Sequence, residues 1–334
     1  MTKTEQPLVT FALFAFNQER FIREAVEGAF AQTYSPLKII LSDDCSTDGT
    51  FKIIKEMAAA YEGTHQVILN RNEANQGFGG HIDTVTKLAG GDLIVVAAGD
   101  DISSPERASM IVEEYLLSTR KYVAIYSALA AIDERSKEIL SERWQEGETD
   151  DVVKIAIGQS GIYGCSAAYS ADLFNSFGLI DRDVLHEDMV LPFRAAICGE
   201  IRFMRARLVK YRLHDANVWN RGDKPFSKKE YLSRLAKYLS NDAGVARQRI
   251  ADLERAKSMP LKVDINFGQI ERTLRYHLRR SQLELDLLKS ESQFDAMLWT
   301  LCLLCHASSY KRGVRWLYLR FLPEIKWLNS KLLK

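Results

Sequence analysis

Two pairs of acidic residues each follow a short apolar run in this sequence. The first pair is Asp43-Asp44 and the second is Asp100-Asp101. Apolar runs of this length predict parallel strands that are buried on both faces, and ligands of open α/β sheets bind at the carboxyl ends of such strands. A carboxylate pair in that position needs a positive charge or a hydrogen-bond donor to offset its loss of hydration. A divalent cation that holds a phosphorylated ligand would meet this need.

The elements that must position these pairs alternate along the chain. The sequence predicts strands at 8–16, 38–42, 65–69 and 92–98, and helices at 20–32, 50–61, 81–89 and about 105–118. This alternation predicts a doubly wound α/β fold. After residue 120 the pattern changes. It predicts a strand at 122–130, a strand or strand-loop pair at 162–170, a helix that begins near 187, and a strand pair at 201–213.

A second region is predicted beyond residue 222. The segment 221–225 interrupts the pattern, and the sequence that follows is helical and highly charged, with segments near 227–258 and 265–290. We therefore expect one domain at residues 1–222 and a helical C-terminal region at residues 223–334.

Composition narrows the class of protein. The net charge of +1 over 334 residues gives no sign of nucleic-acid binding. Five cysteines at irregular spacing predict a reducing compartment. The polar N-terminus does not resemble a signal peptide, and no apolar run reaches the roughly 18 to 20 residues of a membrane span, so we expect a cytoplasmic protein. From residue 306 onward, seven Lys and Arg residues stand against one acidic residue, a charge of +6.

Four motifs, in order, resemble the family 2 glycosyltransferases of the GT-A fold. They are the opening strand 8–19, the segment 43–50 (Asp-Asp-Cys-Ser-Thr-Asp-Gly-Thr), Gly99-Asp100-Asp101 and His186-Glu187-Asp188. Each motif alone is weak, and their order and spacing make the match specific. The resemblance covers roughly residues 7 to 220. It implies a Rossmann-like, mostly parallel sheet in residues 1–222, a C-terminal helical extension, and inverting transfer from a nucleotide-diphosphate sugar.

The resemblance also implies a set of donor-binding residues. Asp44 would accept a hydrogen bond from the ring N–H of the nucleobase, and Asp100 would reach the ribose or the water of a metal ion. The expected nucleotide-sugar residues are Ala15, Phe16, Asn17, Glu19, Asp44, Asn75, Gly77 and Asp100. The sequence departs from the family pattern in two places. Ala15-Phe16 stands where a hydroxyl residue and tyrosine are common, and Ile82-Asp83 stands near the place of an arginine.

The metal and the catalytic base are likewise implied by the resemblance. Asp101 would bind Mn²⁺ or Mg²⁺ that bridges the donor diphosphate, and His214 would approach the metal or the diphosphate. Asp188 would deprotonate the acceptor hydroxyl, while Glu187 orients the acceptor or the loop. Simpler alternatives stay open, because Asp101 could cap a helix, acidic residues are common in a helix's first turn, and a single histidine is often structural.

The tail beyond residue 294 interleaves basic residues with Trp, Leu and Phe. Such a helix is typical of binding to an anionic membrane surface, and the alternative is packing on the catalytic domain or at a homo-oligomer interface. With the family's habits, the tail predicts a glycan or lipid-linked oligosaccharide acceptor, in bacterial surface polysaccharide synthesis on the inner face of the membrane. The competing hypotheses are a catalytically inert GT-A-like protein that binds glycan or partner enzymes and, more weakly, a nucleotidyltransferase.

Overall fold

The computed structural model describes residues 6–119, 121–139, 151–181, 184–185, 187–215, 228–261 and 265–289. The chain forms two compact units. One comprises the residues up to His214 together with Gln248–Leu274, and the other comprises Asp215–Arg247 and the chain from Arg275. The segment 216–227, where the sequence places a domain boundary, and the tail 294–334 lie outside the described residues. The boundary at residue 222 therefore stays a prediction.

A mostly parallel sheet forms the centre of the first unit. Its strands are β1 (Val9–Ala15), β2 (Leu37–Asp43), β3 (Gln66–Arg71), β4 (Leu93–Ala98), β5 (Ile102–Ser103), β6 (Tyr122–Ile132), β7 (Ala167–Ser170) and β8 (Glu200–Arg212). The strand order is β3-β2-β1-β4-β7-β6-β8-β5 in the described part of the chain. β3, β2, β1 and β4 are mutually parallel, as are β6 and β8, while β7 and β5 are antiparallel to their neighbours. The α/β prediction is confirmed.

Helices flank this sheet and continue beyond it. They are α1 (Ile22–Phe30), α2 (Thr50–Ala59), α3 (Gly77–Leu88), α4 (Arg107–Leu117), α5 (Val152–Ala156), α6 (Ala171–Phe177), α7 (Leu191–Cys198), α8 (Lys228–Ala256) and α9 (Phe267–Lys289). Two 3₁₀ turns, Gly164–Ser166 and Glu187–Met189, interrupt the sequence between them. The helix expected near residue 187 therefore begins only at Leu191, after the second turn.

The core of the first unit explains why the leading strands are mainly apolar. Every residue of β1 is buried, because helices cover both faces of the strand. α1 packs on it through Ile22, Ala25, Val26 and Ala29, which recur at the spacing of one helix face. Each fully buried aliphatic side chain of this kind contributes about 1.5 to 3 kcal/mol.

One strand prediction is wrong in its details. Residues 201–213 were expected to form a pair of strands, and they form the single strand β8. β8 pairs with β6 from Tyr122–Glu200 to Ile132–Arg212, with bulges on the way. In the sequence, the irregular spacing of apolar residues suggests a turn. In the structure, bulges accommodate that spacing, and the strand continues.

The C-terminal helices are divided between the two units. α8 enters the first unit at Gln248. Within the second unit, Leu235 and Leu239 of α8 pack with Leu287 of α9. No helix in the described part of the chain is long and apolar enough to cross a membrane.

Candidate functional site

The two acidic pairs emerge at one edge of the sheet. Ala15 at the end of β1 lies opposite Asp43 of β2, and Phe14 lies opposite Ala98 of β4. The main-chain N–H of Asp44 donates to the carbonyl of Ala15 at 2.9 Å. The chain therefore leaves three neighbouring strands in the same direction at this edge, as the sequence predicts.

Asp44 is held by a helix entrance and by a neighbouring asparagine. It is 3% exposed, and its Oδ1 accepts from Asn72 Nδ2 at 2.7 Å and from the N–H of Gln76 at 2.9 Å. Asn75 Oδ1 accepts from the N–H of Gly77, which opens α3 with φ of +69°. This left-handed conformation favours glycine. Among the described residues, none donates to Asp44 Oδ2.

A chain of buried and half-buried polar side chains supports this carboxylate. His81 Nε2 lies 2.6 Å from Ser42 Oγ, and Asn70 Nδ2 donates to Ser42 Oγ at 2.9 Å and to Asn72 Oδ1 at 3.1 Å. Burial lowers the pKa of His81 to about 4, although the nearby charges of Asp44 and Asp43 act to raise it. His81 is therefore neutral at physiological pH. The sequence interpretation missed this network. The only signal for it in the sequence is the pair of asparagines at alternate positions, Asn70 in β3 and Asn72 just after the strand.

Two predicted donor residues have their side chains engaged with the loop after β2. Asn17, at φ of +52°, accepts from the N–H of Thr47 through Oδ1 at 2.8 Å. Glu19 Oε2 accepts from the N–H of Gly49 at 2.6 Å. Ala15 is buried in β1, whereas Phe16 is 43% exposed. Asn17 and Glu19 thus shape the loop, and Phe16, Asn17 and Glu19 are all exposed.

Asp100 and Asp101 follow β4 in a turn supported by two buried arginines. Arg107 donates to the carbonyl of Val96 at 2.8 Å and to Ser103 Oγ at 2.9 Å. Arg212 donates through its main-chain N–H to Asp101 Oδ1 at 2.9 Å and through Nε to the carbonyl of Asp100 at 2.8 Å. The turn is therefore fixed by charges that the sequence interpretation did not single out.

His214 meets the first of the two aspartates. Its Nε2 lies 3.0 Å from Asp100 Oδ2, and its ring lies against Phe21. Asp101 is buried, and its Oδ2 has no hydrogen-bond donor among the described residues. Burial, followed by the charge of Asp100, raises the pKa of Asp101 well above its usual range. The predicted metal residues thus lie close together, with His214 beside Asp100.

The donor set suits a hard divalent cation in part. Two carboxylates and an imidazole are ligand types for Mn²⁺, and the orphaned Asp101 oxygen would gain a partner. However, no three His, Cys, Asp or Glu side chains of the described ranges converge as a complete metal cluster. The protein side chains alone would leave the shell incomplete, and ions of this class commonly complete it with substrate phosphates and water.

The second acidic site is the 3₁₀ turn that carries Glu187 and Asp188. Burial, followed by the charge of Asp188, raises the pKa of Glu187 well above its usual range. Burial also raises the pKa of Asp188 to about 6, while the charge of Arg249 acts to lower it. Asp188 Oδ1 has no hydrogen-bond donor among the described residues, and the buried hydroxyl of Tyr169 likewise has none. A carboxylate with these properties can accept a proton near neutral pH.

The 3₁₀ turn Gly164–Ser166 connects the two acidic sites. A Cβ on Gly164 would lie 2.0 Å from Glu187 Oε1, so the carboxylate occupies the space that a side chain would take. The next residue, Cys165, places its thiol beside Asp101, and burial and that carboxylate raise the thiol's pKa. The small residues that the sequence associates with a ligand pocket therefore lie between the proposed base and the proposed metal residues.

The fold and this edge of carboxylates define a GT-A glycosyltransferase architecture. The family model for glycosyl transferase family 2 matches residues 10–178, just over half of the chain. The chain therefore belongs to glycosyl transferase family 2.

Individual proteins are similar to this chain in sequence or in fold. An uncharacterized glycosyltransferase of Nostoc sp. is 25% identical over 277 residues, which is 81% of this chain and 82% of the relative. S. aureus TarS in complex with UDP-GlcNAc shares the fold with a TM-score of 0.54 and 12% identity, over 93% of this chain and 81% of that chain. The mannosyltransferase PcManGT of Pyrobaculum calidifontis, in complex with GDP-Man and Mn²⁺, has a TM-score of 0.51 and 17% identity, over 95% and 86%.

Proposed function

We propose that this glycosyltransferase inverts the anomeric centre of a nucleotide-diphosphate sugar as it transfers the sugar to an acceptor hydroxyl. Single displacement requires a base that removes the hydroxyl proton while the new C–O bond forms. The observation that carries the proposal is the state of Asp188. Its carboxylate is desolvated, its pKa is raised to about 6, and its Oδ1 lacks a donor among the described residues.

In this proposal each part of the site has one task. Asp44 and the helix entrance at Gly77 bind the nucleotide, and Asp100, Asp101 and His214 would hold Mn²⁺ or Mg²⁺. When bound, the ion neutralises the charge of the departing diphosphate. Asp188 removes the proton of the acceptor hydroxyl. At the same time the acceptor oxygen attacks the anomeric carbon, and the bond from that carbon to the diphosphate breaks. The likeness to structures that contain UDP-GlcNAc and to one that contains GDP-Man and Mn²⁺ supports a sugar nucleotide as donor.

We further propose a glycan acceptor, carried on lipid, in bacterial surface polysaccharide synthesis at the cytoplasmic face of the membrane. The support is the tail 294–334, in which the part from residue 306 onward has a charge of +6 and its basic residues are interleaved with aromatic residues. In this proposal residues 1–222 carry the chemistry and the C-terminal region brings the enzyme to its acceptor, or to a second copy of the chain.

The first experiment measures nucleoside diphosphate release from UDP-GlcNAc and GDP-Man by the full chain with Mn²⁺. The wild type should hydrolyse one donor slowly in the absence of acceptor. Asp188→Asn should bind the matching nucleoside diphosphate with unchanged affinity in calorimetry, while its rate falls by about 10² to 10⁴. Binding without any release from a wider donor panel would favour the inert, glycan-binding or partner-binding alternative. Loss of binding together with a normal residual rate would remove Asp188 from the role of base.

A further inference from the structure

The C-terminal end of α8 packs against the region of the chain that carries Glu187 and Asp188. Arg194 of α7 forms a buried ion pair with Asp252 of α8, in which Nε lies 2.8 Å from Oδ2 and Nη2 lies 3.1 Å from Oδ1. Gln248 joins Asp252 Oδ1 through Nε2 at 2.9 Å and accepts from the N–H of Asp181 at 2.8 Å. The last turns of α8 are therefore part of the catalytic unit, although they lie beyond the matched range of the family model.

Arg249 contacts the main chain of Met189, the residue that follows Asp188. Its Nε donates to the carbonyl of Met189 at 2.8 Å, its Nη2 donates to the same carbonyl, and its Nη1 donates to the carbonyl of Ala156 at 2.7 Å. The side chain is 5% exposed. A buried guanidinium needs such acceptors because its desolvation is otherwise costly.

We propose that Arg249 is a positioning residue for Asp188: it fixes the main chain of the 3₁₀ turn and supplies a positive charge without capping the carboxylate. The inference rests on the proposed role of Asp188 as base. Arg249 donates to the carbonyls of Met189 and Ala156, and Asp188 Oδ1 has no hydrogen-bond partner among the described residues. A direct ion pair would hold the carboxylate ionised but would cover the atom that must receive the proton.

Three other titratable or charged groups are relevant to this environment. The charge of Asp188 contributes to the raised pKa of Glu187 on the same turn, and both carboxylates contribute to the raised pKa of the buried Tyr169 of β7. For Asp188 itself, burial raises the pKa and the charge of Arg249 of α8 acts to lower it. Removal of its charge should therefore leave Asp188 protonated at a higher pH. An opposite charge a few ångströms away typically shifts a carboxyl pKa by about one unit or more.

The test does not depend on knowledge of the donor. Urea unfolding of the full chain is measured from pH 4 to 9 for the wild type and for Asp188→Asn. The difference between their stabilities begins to grow at the pKa of the unfolded chain and levels off at the pKa of Asp188 in the folded chain, and the pH at which it levels off is taken as the divergence of the pair. The same pair is then measured in an Arg249→Gln background. We expect the divergence to move upward by about one pH unit, whereas Arg247→Gln, an exposed neighbour on the same helix, should not move it. An unmoved divergence in Arg249→Gln would overturn the proposal.

Arg249→Lys tests the geometric part, and it also serves if Arg249→Gln does not fold. Lysine keeps the charge but cannot reach both carbonyls in a fixed fork. The divergence should stay near pH 6, while hydrogen exchange in the peptide 187–193 becomes at least tenfold faster than in the wild type. Wild-type exchange in Arg249→Lys would overturn the positioning role. If the divergence shifts in Arg249→Gln but no variant changes donor hydrolysis, the positioning stands and the proposed function of Asp188 fails.

Discussion

Replacement of Asp188 by asparagine is expected to stabilise the fold at neutral and alkaline pH while it removes the proposed base. Burial raises the pKa of this carboxyl from 3.8 to about 6. Between about pH 4 and 6 the folded chain therefore keeps a proton that the unfolded chain has released, and the free energy of unfolding falls as the pH rises through this window. A shift of about two pH units corresponds to at most about 3 kcal/mol.

Asparagine at position 188 carries no charge, so the variant does not undergo this fall in the free energy of unfolding as the pH rises. The difference in the free energy of unfolding between Asp188→Asn and the wild type should be small at pH 4 and approach about 3 kcal/mol above pH 7. In a unit of this size that difference raises the Tm by about 6 to 12 °C at most. Urea titrations at pH 4, 5, 6, 7 and 8 measure it, because effects of all other titrating groups largely cancel in the comparison.

A matched control distinguishes this effect from a general effect of charge removal. Asp172 lies exposed in the first turn of α6, and Asp172→Asn should change stability by less than about 0.5 kcal/mol at every pH. If the difference in the free energy of unfolding between Asp188→Asn and the wild type is no larger at pH 8 than at pH 4, the folded protein solvates the carboxylate well. Asp188 would then lack the raised pKa on which its proposed role depends.

Four further outcomes are expected. Gly164→Ala should destabilise the fold by about 1 to 3 kcal/mol in urea titrations, because its Cβ would collide with the Glu187 carboxylate; wild-type stability would show that the carboxylate moves freely. Asp101→Asn should weaken Mn²⁺-dependent binding of nucleoside diphosphate in calorimetry, and unchanged affinity would remove it from the metal site. Asp44→Asn should lower nucleotide affinity at least tenfold with or without Mn²⁺, and equal affinities would exclude it from base recognition. Deletion of residues 294–334 should abolish sedimentation with anionic vesicles and spare donor hydrolysis, whereas an insoluble or monomerised product would favour protein packing.

The first half of the fold was predictable because local pattern and tertiary structure agree there. β1, β2 and β4 are almost entirely buried, so each is mainly apolar, and the acidic pairs stand at the end of β2 and shortly after the end of β4. The parallel arrangement then brings the residues after each strand to one edge without any long-range information beyond the alternation of strand and helix. For that reason Asp44 and Asp100 could be assigned to a single edge.

The second half was predicted less well, since its pairing is irregular. The sequence of β8 predicts two strands, because bulges break its apolar alternation. The pairing with β6 keeps it a single continuous strand. The 3₁₀ turn at Glu187 resembles the start of a helix in sequence, because acidic residues are common in both places. The role of each predicted site residue stays a prediction.

By itself, the sequence determined the fold class, the edge at which the acidic pairs meet and the family. Tertiary structure alone decided which charges face each carboxylate. Arg212 reaches Asp101 from 111 positions along the chain, and Arg249 reaches Met189 from 60 positions away. Such partners leave no periodic or local signal, because an arginine that packs inside looks the same in sequence as one that faces water. Burial and these distant charges set the pKa of Asp188, and they exist only once the chain is folded.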